Sequence, residues 1–154
     1  MKYSAVITAE ETPLSAFLTK HPWIEWALYA AVLVVIFGPA AADTNAVIGA
    51  DVDLRGTLWY YWWFKDALLS GGSTEVTDLF CYPYGVDIHA QTGGNFIDAV
   101  LSIPFQWAFG TPGYYAVFVG ALFAANTVAM RSLLSTIGVG SAARLFGTLV
   151  WMVN

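Results

Sequence analysis

Charge is scarce in this sequence. Only 11% of its 154 residues are Asp, Glu, Lys or Arg, and 58% are hydrophobic. An ordinary soluble domain carries about a quarter charged and about half apolar residues, so a soluble globule of this length could not be covered. Cations are scarcest of all: six Lys and Arg stand against eleven Asp and Glu, a formal charge of −5. That balance excludes nucleic acid as a partner, because phosphate binding needs a basic face. Cys81 is the one cysteine. An intrachain disulfide and the paired-cysteine metal patterns are therefore excluded, and the plain reading of Cys81 is a small buried apolar side chain. Absent too are a G-x-S-x-G elbow, a phosphate-binding G-x-x-x-x-G-K, an H-E-x-x-H and any internal repeat.

Aromatic residues are abundant, at 16% with seven Trp, which suits a chain that repeatedly meets lipid headgroups. Residues 1–22 are mixed and polar, a cytoplasmic tail in which the stretch from Thr8 to Leu14 can cap a short helix, with Pro13 in its first turn. Residues 23–42 carry one charge, Glu25, at their edge and are long enough to cross a hydrocarbon core of roughly 30 Å. Trp23, Trp26 and Tyr29 gather at the entry end. A cleaved signal peptide is the rival reading, since Pro39-Ala40-Ala41-Ala42 resembles a cleavage site. The preceding stretch, however, is long and holds Glu10 and Glu11, unlike a basic leader.

Residues 43–113 form a loop outside the lipid, with eight acidic residues and only Arg55 and Lys65 as cations. Within it Leu54 to Leu69 reads as an interfacial helix, with apolar bulk from Leu58, Trp62, Phe64, Leu68 and Leu69. Gly71-Gly72 ends it, Cys81-Tyr82-Pro83-Tyr84-Gly85 reads as a turn, and Phe96 to Phe109 as a second interfacial or re-entrant piece. A minimal second span follows at 114–130, then a linker at 131–141 and the start of a third helix at 142–154. About a dozen residues are too few to cross, so the chain reads as the opening of a longer polytopic protein. The expected fold is an all-α membrane protein: two full transmembrane helices and a truncated third, with a long extracytoplasmic loop carrying interfacial helices. Lys2, Lys20, Arg131 and Arg144 flank the spans on one side, which puts the N-terminus in the cytoplasm and the acidic loop outside.

The residues most suggestive of chemistry are Asp51 and Asp53. Two carboxylates at i and i+2 beside a membrane could share a divalent cation, or one could serve as a general base. The plainer alternative is a helix cap, and Asp51 could also pair with Arg55 four residues on. Downstream, Asp87, His89, Gln91, Thr92 and Asn95 form a second polar group, readable as ligands or as turn and cap residues. The run containing Trp59 and Trp62 could stack on a sugar or pigment ring, or anchor an interface.

Taken in order, these pieces resemble the N-terminal part of the GT-C superfamily, in its uncharacterised bacterial branch. The carriers are one span, then G-A-D-V-D-L before L-W-Y-Y-W-W-F, A-L-L-S-G-G, L-F-C-Y-P-Y-G-V-D-I, and P-G-Y-Y-A-V-F opening the second span. The resemblance covers most of the chain from about Trp23. It implies a polytopic glycosyltransferase of the bacterial inner membrane that uses a polyprenyl-phosphate sugar. Asp51 and Asp53 would act as general base or metal holder, and Asp87 and His89 would contact substrate; Trp59 and Trp62 join them as substrate contacts through ring stacking, not through the resemblance. It also implies further spans and a C-terminal domain not found here, so this piece alone would be inactive. A non-catalytic accessory subunit packed against other membrane subunits is the alternative, favoured by the small-residue face from Gly120 to Ala125.

Overall fold

A computed structural model describes residues 12–43, 49, 51–89 and 95–153; the side chains of Asp51 and Val52 lie outside that description. Gln91 and Thr92 also fall outside it. The described chain is helical apart from one short hairpin. Helices α1 (Pro13–Lys20), α2 (Pro22–Ala42) and α3 (Asp51–Ser70) come first. Strands β1 (Val76–Thr77) and β2 (Val86–Asp87) follow, then α4 (Phe96–Phe109), α5 (Tyr114–Thr136) and α6 (Ser141–Val153). Two compact units are formed, Met1–Pro39 with Gly120–Asn154, and Ala40–Val119.

In the first unit, Thr12 caps α1 by accepting from the Ser15 N–H at 3.2 Å, and Pro13 takes the first helical position, where its missing N–H costs nothing. Pro22 cannot continue α1, so the chain turns at His21 and starts α2. α2 and α5 run antiparallel. Near one end Glu25 meets Arg131, and about three turns along α2 Phe37 packs against Gly120 and Phe123. Leu18, Tyr29, Leu145 and Met152 form a small core that joins α1, α2 and α6.

α2 and α5 are long and apolar enough to cross a membrane, whereas α4 and α6 are shorter. The core helix of a soluble protein would be mostly buried, yet only 17% and 11% of the most apolar windows of α2 and α5 are. Val34 and Val35 stand 67% and 75% exposed. Within α5, Thr127 and Thr136 donate to the carbonyls of Phe123 and Ser132 at 2.7 and 2.9 Å. Each hydroxyl is thus satisfied inside its own helix, as an apolar solvent demands.

Four readings change. α5 continues to Thr136, so Arg131 lies on the helix and the connection to α6 shrinks to residues 137–140. Apolarity stops at Arg131, but helical hydrogen bonding does not need apolar side chains. α3 begins at Asp51, so neither Asp51 nor Asp53 precedes the helix as a cap would. Its buried face carries Tyr60, Tyr61, Trp63, Phe64 and Ala67, while Trp62, Leu68 and Leu69 are exposed. Finally, Cys81 is exposed and adopts φ 57°, because it opens the turn between β1 and β2 instead of filling a core.

Candidate functional site

The Ala40–Val119 unit holds every residue singled out for chemistry. Its frame is α3 packed on α4, closed by the start of α5. Positions 60, 61, 64 and 67 share one face at helical spacing. Phe64 is completely buried and meets Phe96 edge-on at 5.1 Å, while Tyr61 and Phe105 both contact Phe118. Burying a side chain like Phe64 contributes about 1.5–3 kcal/mol. One polar tie crosses this core: Gln106 donates from Nε2 to the Tyr61 carbonyl at 3.2 Å and to Ser102 Oγ at 2.9 Å. Ser102 in turn donates to the Ala99 carbonyl. Burial pushes the Tyr61 phenol above its ordinary value and the nearby Asp98 charge adds to this; Tyr60 is raised by burial alone. Both phenols therefore remain proton donors at neutral pH.

The hairpin is built from its turn. Val76 faces Asp87 and Thr77 faces Val86. The N–H groups of Tyr84 and Gly85 donate to the Cys81 carbonyl at 2.9 and 3.2 Å. Gly85 has φ 70°, and a Cβ there would stand 3.1 Å from the Thr77 carbonyl oxygen, so glycine is required. Phe80, on the β1–β2 loop, rests against Trp59 at 4.6 Å, which ties the hairpin to α3.

Against that frame the expected site residues divide. Asp51 and Asp53 occupy the first turn of α3, where a carboxylate suits the positive end of the helix dipole; Asp53 is exposed. Trp59 stacks flat on Trp63 at 5.8 Å and 5°, and with Phe80 also against it the ring is largely occupied by the protein itself. Trp62 is 40% exposed and presents the freer indole. Asp87 lies exposed in β2 and His89 is half-buried just after it. No cluster of three or more His, Cys, Asp or Glu that could hold a metal occurs among the described residues.

The first unit holds a group that residue spacing did not reveal. Glu25 is fully buried and shared by two arginines. Arg131 Nε donates to Oε2 at 2.9 Å, and Arg144 donates from Nη2 to Oε1 at 2.5 Å and from Nε to Oε2 at 3.3 Å. The Arg131 guanidinium also lies 4.6 Å from the Trp26 ring centroid. Thr19 and Ser141 hydroxyls meet at 2.8 Å beside it. Three helix ends are thus joined at one carboxylate. A signal was present: a lone carboxylate at the edge of an apolar helix, with one Arg near the matching end of each later helix.

Compared with known proteins, the chain matches no family model, no curated protein and no solved structure.

Proposed function

We propose that the chain is the N-terminal membrane portion of a GT-C-like glycosyltransferase, acting on a lipid-phosphate sugar at the extracytoplasmic face of a bacterial inner membrane. α2 and α5 are the first two crossings. Lys20, Arg131 and Arg144 gather at one end of this antiparallel pair, which favours that end as cytoplasmic under the positive-inside rule. Residues 43–113, between the two crossings, are then the extracytoplasmic loop.

The observation that carries the reading is the placing of Asp51 and Asp53 at the very start of α3, directly after the first crossing and ahead of the aromatic core that anchors the helix. The helix start sets the two residues close together in the chain segment that follows the first crossing. There one carboxylate takes the proton of an acceptor hydroxyl, or both orient a divalent cation on the donor phosphates. Trp62, exposed on the same helix, offers a ring face to a sugar. Asp87 and His89 follow the hairpin turn and are candidates for acceptor contacts.

The test is to exchange Asp51 and Asp53 for Asn, singly and together, in the longest natural chain that carries this sequence, and to follow turnover of lipid-linked sugar in membranes. Loss of turnover with normal protein levels supports the role. Wild-type turnover in the double variant removes it.

A further inference from the structure

From the unequal charges at the α2–α5–α6 end, we propose that Arg131 and Arg144 bind the phosphate diester of an anionic phospholipid, with its acyl chain lying along α2. This inference rests on the membrane part of the reading above and not on glycosyl transfer.

One carboxylate serves two guanidinium groups. Arg131 spends Nε on Glu25, and Arg144 spends Nε and Nη2 on Glu25, with Nη2 also 3.4 Å from Ser141 Oγ. Both terminal nitrogens of Arg131 and Nη1 of Arg144 meet no acceptor among the described residues. Their side chains keep 18% and 14% exposure, so both arginines reach the surface, where an outside acceptor can meet them. Within the described part of this unit, Lys20, Arg131 and Arg144 stand against Glu25 alone, although the whole chain carries −5. An anion of fixed geometry completes the set. Two N–H groups of a guanidinium match two non-bridging phosphate oxygens.

Two further features select a lipid over a free ion. Trp26 lies under Arg131 and is 41% exposed, an indole placed as indoles sit at headgroup level. Next, an apolar groove of about 350 Å³ is lined by Leu28, Ala31, Val32, Val35, Ile36 and Val153. Leu28, Val32, Val35 and Ile36 follow Glu25 at i+3, i+7, i+10 and i+11, along the same stripe of α2. The groove therefore starts one turn from the charged end and runs toward the bilayer interior.

The purified, detergent-solubilised chain can be titrated with dioctanoyl phosphatidylglycerol, dioctanoyl phosphatidylcholine and inorganic phosphate, while bound lipid is counted by native mass spectrometry. Phosphatidylglycerol is expected to bind at least about tenfold more tightly than phosphatidylcholine, whose choline offsets its phosphate, and R131Q is expected to abolish that preference. Arg131→Lys, which keeps the charge and loses the fork, should keep only part of the preference. If R131Q does not fold, Arg131→Lys and a groove-filling Val35→Trp carry the test. Equal retention of both lipids, full competition by phosphate alone, or wild-type binding by these variants would overturn the proposal. Alkaline carbonate extraction of the same membranes is the independent control. A chain that extracts removes the membrane reading, whereas one that stays but ignores phosphatidylglycerol removes only this site.

Discussion

Glu25→Gln isolates the buried charge cluster, because it keeps the shape of the side chain and removes only its charge. In the native protein the carboxylate is fully buried and accepts from both arginines. The variant takes from both guanidinium groups the one carboxylate they share within the protein. Breaking a buried pair typically costs about 3–5 kcal/mol. Arg131 and Arg144 keep some contact with water, at 18% and 14% exposure, which places the cost at the lower end. At about 3 kcal/mol the folding equilibrium shifts by roughly a hundredfold. A single lost hydrogen bond between membrane helices averages only about 0.6 kcal/mol, so the two mechanisms separate cleanly. Reversible unfolding in mixed micelles, followed by circular dichroism, measures the difference. Adding Arg144→Gln to the variant should recover part of the loss, since it removes one of the stranded cations, whereas alone it should be costly. A cost below about 1 kcal/mol for Glu25→Gln, or simple additivity of the two changes, would refute the shared-carboxylate reasoning.

Gly85→Ala should weaken the hairpin by about 1–2 kcal/mol, because φ 70° and the 3.1 Å approach to the Thr77 carbonyl both oppose a Cβ. Faster hydrogen exchange at Ile88, whose N–H donates to the Glu75 carbonyl, would report it. At Gly120 a Cβ would meet Phe37 at an ordinary 3.5 Å, so alanine should be accepted, while Gly120→Leu should cost about 1–3 kcal/mol in micelle unfolding. Thr12→Ala removes the α1 cap and should cost about 1 kcal/mol, seen as faster amide exchange at Ser15 without change in α5.

The two long apolar helices were legible because absence of charge over some twenty residues is a local property, read without knowing any neighbour. The start of α1 was legible for the same reason, since Pro13 acts within one turn, whereas Thr12 as the capping residue comes from the structure. The inner face of α3 was not. Aromatic residues surround that helix, so no apolar stripe marks the buried side, and only packing against Phe96 and Phe118 decides that Phe64 and Tyr61 point inward. The end of α5 was placed too early because Arg131 breaks the apolar run but is stabilised by Glu25, more than one hundred residues away. The acidic pair was visible as Asp-x-Asp, yet its place inside the first turn of α3 follows from where the helix begins, which spacing alone left three residues off.

Cys81 supplies the sharpest test of the two-crossing topology, since it is the one thiol and it is exposed on the hairpin. Intact cells producing the chain are treated with a membrane-impermeant maleimide, alongside a variant carrying Cys81→Ser and Ile137→Cys in the exposed α5–α6 connection. Labelling of Cys81 from outside, with Ile137→Cys reached only after the cells are opened, is the expected pattern. Protection of Cys81 in intact cells together with outside labelling at position 137 would contradict the proposed orientation, and outside labelling at both positions would contradict a crossing by α5.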